Sequence, residues 1–184
     1  MRFSEDALKP NRRLLFITIS ILFALVFAGG AWHLGVFAPT FQQVAHKPIE
    51  SIAMHDSRGQ KHSFSELAGK RTILYFWTTW CGPCRGTLSS LNKLPPNGKL
   101  SENFIAVALS TNQKLVAEII KDTGYSGEYW LADEGQSILQ RRLFGNESRA
   151  VPYIIELDEH NQIIRASHDP DEFSLIANAK LGKL

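Results

Sequence analysis

At 184 residues the chain has room for one ordinary domain and an appendage. Its 44% hydrophobic content suits a globular core, and its net charge of +2 comes from the first 13 residues, where Arg2, Lys9, Arg12 and Arg13 outnumber Glu5 and Asp6. The remainder is formally neutral and has no basic run, which excludes the electrostatic footprint of a nucleic-acid binder.

Residues 14–32, LLFITISILFALVFAGGAW, carry no charge over 19 positions. A helix of that length spans roughly the 30 Å hydrocarbon layer. Arg12 and Arg13 abut one end and Trp32 stands at the other, where interfacial aromatics collect. The expectation is a single N-terminal transmembrane helix, with residues 1–13 cytoplasmic and the rest facing the periplasm or its equivalent. A cleaved signal peptide is the competing reading, because VFA before Gly29 and GGA before Trp32 both offer small residues to a peptidase. Either reading exports the rest of the chain. The flanking charges argue against a buried core helix.

Residues 33–47, with Pro39, Gln42 and Gln43 and no clear period, read as a tether to a domain over 48–184. SIAMHDSRGQKHSF places short apolar runs on either side of a DSRGQ turn, an N-terminal β-hairpin. SELAG gives one helical turn. TILYFW, residues 72–77, is a buried central strand. A helix then runs from the cysteine motif to about Leu94 and is stopped by Pro95-Pro96. FIAVALS, residues 104–110, is a second buried strand. NQKLVAEIIKDTG forms a helix with Leu115, Val116, Ile119 and Ile120 on one face and Gly124 at its end. YWLA is a short strand and QSILQRRLF a helix. YIIEL and IIRAS pair across DEHNQ, and DEFSLIANAKL closes the chain as a helix. Strands alternating with helices, then a hairpin and a helix, give an α/β fold with a mixed central sheet.

Both cysteines of the chain lie in WCGPC, residues 80–84. A thiol attacks a disulfide only as its thiolate, and a helix N-terminus favours negative charge through its unpaired N–H groups and its dipole. A strand that ends at Trp77 and a helix that starts on Cys81 supply such a position. Pro83 suits the first turn, where its missing N–H costs nothing. Cys84, one turn in, faces the same side. Cys81 can then attack a substrate disulfide, and Cys84 can release it. A structural disulfide closing so small a loop would restrain little of the unfolded chain. One Cys-x-x-Cys gives zinc two ligands of the usual four, and no His-x3–5-His pair completes the set. A Cu(I)-binding module using the same two thiols stays open as the alternative.

ILYFWTTWCGPCRGTL, with VPYIIELDEHNQIIRA some way further along, resembles the thioredoxin superfamily over roughly residues 48–184. The anchor, the N-terminal hairpin, and the extra helix and strand between VALST and QSIL are similar to the TlpA-like branch of membrane-anchored thiol-disulfide oxidoreductases. YFWTTWC and VALS look closest to its copper-tolerance members. The resemblance implies a thioredoxin-like fold and catalysis by Cys81 and Cys84. It implies a substrate groove formed by Trp80, Gly82, Pro83, Val151 and Pro152, with a cis peptide before Pro152 facing Cys81. It further implies protein thiols or disulfides as partners, a membrane electron donor, and no cofactor or metal. X-Pro is the bond for which cis costs least, and Pro at a strand's first residue loses no ladder bond.

Two positions depart from the family pattern. Tyr75 stands where thioredoxins carry a buried acid, and Thr87 where many haem-maturation members carry a glutamate. Both acids act on the proton of the second thiol, so their loss weakens a haem-maturation reading. Leu74 replaces the proline of a peroxidatic motif, which argues against a thiol peroxidase. Arg85 reads as a solvated first-turn residue or as a partner for thiolate charge. The NES sequence at residues 146–148 reads as incidental, and His33, His46, His55, His62, His160 and His168 read as surface residues. Gly-Pro between the cysteines resembles reducing thioredoxins, whereas Val151 before Pro152 resembles oxidants. The dipeptide lies inside the redox ring, so the expectation is a reductant.

Overall fold

The computed structural model describes residues 12–34, 36, 40–93, 102–110, 112–132 and 143–180. The chain divides into two compact units, Met1–Phe37 and Ala38–Leu184. In the first, helix α1 (Arg12–His33) runs for 22 residues and has no buried residue. It is long and apolar enough to cross a membrane. Its Thr18 hydroxyl bonds back to the Leu15 carbonyl at 2.9 Å, so the helix itself satisfies that polar group.

The second unit is built on seven strands: β1 (Met54–His55), β2 (Lys61–His62), β3 (Thr72–Trp77), β4 (Asn103–Ala108), β5 (Glu128–Ala132), β6 (Tyr153–Leu157) and β7 (Ile163–Ser167). Their spatial order is β2-β1-β5-β4-β3-β6-β7. The β3–β4 and β4–β5 pairs are parallel, and β3–β6, β6–β7, β1–β5 and β1–β2 are antiparallel. The sheet is therefore mixed, as the strand and helix order requires. All six residues of β3 are buried. Alternation along it splits the core into two. Ile73, Tyr75 and Trp77 join a cluster with Leu88, Val116 and Phe173. Leu74 and Phe76 join another with Phe64, Trp130, Phe144 and Tyr153.

Helices cover both layers. The α2 segment (Phe41–Val44) is one turn. A 3-10 turn at Phe64–Leu67 is fixed by a capping box, in which Glu66 accepts the Ser63 N–H at 2.7 Å. Helix α3 (Gly82–Ser90) tightens into a 3-10 turn at Leu91–Lys93, and the expected end near Leu94 lies outside the described residues. In α4 (Gln113–Thr123), Asn112 caps the start by accepting from Leu115 N, and Gly124 at φ 68° ends it in the left-handed region. Helix α5 (Ser174–Lys180) closes the fold. The Pro95-Pro96 stop, most of the helix expected over residues 136–144, and most of the N-terminal segment expected to be cytoplasmic lie outside the described residues.

The compact unit that carries the sheet runs from Ala38, and residues 41–47 of the expected tether pack onto it. Val44 is buried, Phe41 lies against the core, and a side chain at Gly145 would clash with the Phe41 backbone. Residues 46–49 then run beside the turn between β6 and β7. His46 N donates to Ile163 O at 2.7 Å, Ile163 N to Lys47 O at 3.1 Å, and Ile49 N to Asn161 O at 2.8 Å.

At the far end of β6, Glu156 is buried between two arginines. Arg71 pairs with one carboxylate oxygen and Arg165 with the other, at 2.9 Å from Nε and 2.5 Å from a terminal nitrogen. Arg165 also donates to the Glu172 carbonyl and lies over the Phe173 ring.

Candidate active site

The end of β3 sets the site. After Trp77 the chain turns through Thr78–Trp80, and Cys81 becomes the N-cap of α3 with an extended backbone at φ −82°, ψ 100°. Its Sγ accepts the Cys84 N–H at 3.2 Å. That is the role Ser or Asp plays at an ordinary helix start, filled here by sulfur. Pro83 occupies the first turn. Cys81 and Cys84 form a disulfide, with S–S 2.01 Å and Cα–Cα 5.3 Å.

The two sulfurs differ in access. Cys81 is 3% exposed and adjoins Trp80, which is 75% exposed, whereas Cys84 is fully buried. Arg85 is exposed, yet its guanidinium is not simply solvated. It donates to the Thr79 carbonyl at 2.7 Å and braces the turn before the motif.

Across from Cys81 stands the segment before β6. The Val151-Pro152 peptide is cis, and the Val151 carbonyl oxygen lies 3.6 Å from Cys81 Sγ. Pairing of β6 with β3 begins at Tyr153, so Val151 and Pro152 stand ahead of the ladder. Gly82 and Pro83 are exposed and Val151 is half-buried against the same core cluster as the cysteines.

Beneath Cys84 lie the two residues that replace family acids. The Tyr75 hydroxyl is 3.4 Å from the Cys84 carbonyl, and the Thr87 hydroxyl bonds both Tyr75 and the Pro83 carbonyl. Burial pushes the Tyr75 phenol up to about 12, and the Thr87 bond only partly offsets it. Both side chains are thus neutral near pH 7, and neither puts a negative charge under the second sulfur. Tyr125 and Tyr153 are also pushed upward, mainly by burial.

A phenol whose folded pKa is raised contributes stability that is fully present below the unfolded value near 10. That stability is lost as pH rises through the folded value. The domain is therefore expected to lose stability between pH 10 and 12, with Tyr75 contributing roughly 2–3 kcal/mol. Thermal midpoints measured at pH 9, 10.5 and 12 check this, and Tyr75→Phe should flatten part of the decline. A flat profile across that range would contradict it.

Sequence reasoning missed three polar residues that converge near Val151-Pro152: Asn146, Ser148 and His168. The first two belong to the NES stretch, which as sequence alone reads as incidental. His168 is exposed, as expected, but its ring is engaged on both sides. His62 is no open surface residue either, since it stacks on Trp130 with ring centroids 4.6 Å apart. No local signal in the sequence marks these long-range contacts.

The fold and the cysteine pair define a thiol-disulfide oxidoreductase of the thioredoxin superfamily. Residues 35–180 match the model of the Redoxin family, and the chain belongs to that family. It is similar to the thiol-disulfide oxidoreductase ResA of Bacillus thuringiensis (strain Al Hakam), with 30% identity over 133 residues, 72% of this chain and 76% of that protein. A thioredoxin-like protein of Haemophilus influenzae is 36% identical over 84 residues, 45% of this chain and 48% of the other. Among solved structures, the thioredoxin domain of a thiol-disulfide oxidoreductase from Bacteroides vulgatus matches at TM-score 0.58 and 18% identity, over 73% of this chain and 96% of that one. A DsbF homologue from Corynebacterium diphtheriae matches at TM-score 0.51 and 18% identity, over 65% and 76%. These structural likenesses bear on the fold, which is thioredoxin-like, and the relatives support the TlpA-like branch.

Proposed function

We propose that this protein is anchored by α1, holds its domain on the periplasmic side of the cytoplasmic membrane, and reduces disulfides in partner proteins. The observation that carries the reading is the cysteine pair itself: Cys81 at the helix N-cap beside the Val151 carbonyl, with Cys84 buried one turn below. The apolar helix with its arginine flank supports the anchor and its orientation. Val151, Pro152, Trp80, Gly82 and Pro83 form the groove that receives an extended substrate segment, by backbone pairing of the strand-addition kind.

The chemistry balances as two exchanges. The Cys81 thiolate attacks one sulfur of a substrate disulfide; that bond breaks, a mixed disulfide forms, and the departing thiolate takes a proton. Cys84 then loses its proton and attacks Cys81 Sγ, releasing the second substrate thiolate and closing the Cys81–Cys84 disulfide. Two electrons and two protons pass to the substrate. A membrane electron donor returns the pair to the dithiol.

Equilibration of the full chain with glutathione tests the direction. A potential nearer the roughly −270 mV of thioredoxin is expected, and one above about −160 mV would make the protein a disulfide donor. A reporter active only outside the cytoplasm, fused after Leu184, should be active. Cu(I) titration runs in parallel, and tight copper binding without reduction of insulin disulfides would replace exchange with a metal-carrier role.

A further inference from the structure

We infer that His168 is a positioning residue for disulfide exchange: it fixes the Val151 carbonyl opposite Cys81 by tying Ser148 to Pro152, on either side of it in the loop. This inference rests on the proposed exchange function.

The loop needs such a tie. Gly145 and Arg149 both have left-handed backbones, at φ 69° and 56°, and pairing with β3 starts only at Tyr153. Its own backbone bonds are local, from Glu147 N to Gly145 O and from Arg149 N to Asn146 O. Side chains supply the rest. His168, just past the end of β7, places Nδ1 2.7 Å from the Pro152 carbonyl oxygen and Nε2 3.0 Å from Ser148 Oγ. A carbonyl oxygen can only accept, so Nδ1 carries the proton and donates. Ser148 Oγ accepts the Ala150 N–H at 3.2 Å and lies 3.2 Å from Asn146 Oδ1. Buried Asn146 donates from Nδ2 to the Ala150 carbonyl at 3.0 Å. One flat ring therefore spans from Ser148 to Pro152, and Val151 sits between its two contacts. The ring is held in turn against Tyr153, with centroids 5.0 Å apart.

Protein substrates need the Val151 backbone in place, whereas a small thiol reaching Cys81 does not. Losing the tie should therefore separate the two reactions. His168→Phe keeps a flat ring against Tyr153 and removes both nitrogen contacts. His168→Asn keeps a donor at the position of Nδ1. With the full chain in detergent, His168→Phe is expected to lower kcat/KM for insulin disulfides about tenfold. Reduction of the Cys81–Cys84 disulfide by dithiothreitol should stay within about twofold of the parent rate. His168→Asn should recover most of the insulin activity. Deuterium uptake of the peptide covering residues 146–152 should rise in His168→Phe and return towards the parent level in His168→Asn. Unchanged uptake in His168→Phe overturns the inference whatever the activities do. So does an equal fall in both reactions, or insulin activity within twofold of the parent. If the parent chain itself fails to reduce insulin, the proposed function falls, and deuterium uptake alone then decides whether His168 ties the loop.

Discussion

Cys84→Ser is expected to convert the protein into a trap, with partner proteins held on Cys81 as mixed disulfides that survive non-reducing electrophoresis. The reason is the difference in access between the two sulfurs. Cys81 caps α3 at the rim beside exposed Trp80, while Cys84 is fully buried one turn deeper. An incoming disulfide meets Cys81 alone, and only the Cys84 sulfur lies within bonding reach of Cys81 to release it. Multiple turnover should fall by more than ~10³-fold in either cysteine variant, since each removes an obligatory bond-making atom. The variants differ in what accumulates: Cys81→Ser should hold no partners. Equal trapping by the two, or faster alkylation of Cys84 in the reduced protein, would reverse the assigned roles.

The second large effect is expected far from the cysteines. Arg165→Met leaves buried Glu156 with Arg71 alone and also removes the bond to the Glu172 carbonyl and the contact with Phe173. Stranding half of a buried carboxylate's partners costs several kcal/mol in a dry site, but both guanidinium groups are partly in water. The expected loss is therefore about 2–3 kcal/mol. Replacing all three with apolar residues, as Arg71→Met, Glu156→Leu and Arg165→Met together, should recover most of that loss, because no buried charge then remains to be paired. Denaturant midpoints measure both. A triple variant less stable than Arg165→Met would show that the ionic arrangement contributes more than the desolvation it costs.

The cysteine pair and the central sheet were legible because their signals are local. TILYFW reads as a strand buried on both faces, and the spacing of WCGPC after it places a thiol at a helix start whatever the rest of the chain does. YIIEL and IIRAS declare their hairpin through the polar turn between them. Contacts between distant residues leave no such mark. Glu156 in YIIEL is a polar residue inside a strand, and its partner Arg71 lies 85 positions earlier. The single turn Phe41–Val44 is too short to show a helical period, so burial of Val44 could not be read from its neighbours. The tie from His168 to Ser148 and Pro152 spans 20 and 16 positions, and each of the three residue types is common on protein surfaces.

The run of residues 46–49 beside β7 bears on self-association. An outermost strand offers a row of unpaired N–H and C=O groups on which another chain can nucleate, and soluble proteins guard against this by keeping such strands short, charged or covered. Here one border of the sheet is β2, two residues long and carrying Lys61. The opposite border, β7, has its first residue closed off by the bonds between Ile163 and the backbone of His46 and Lys47. Arg165 lies at its middle and His168 just past its end. Neither border presents a long apolar template, so crowded copies of this domain lack an easy route to strand-by-strand aggregation.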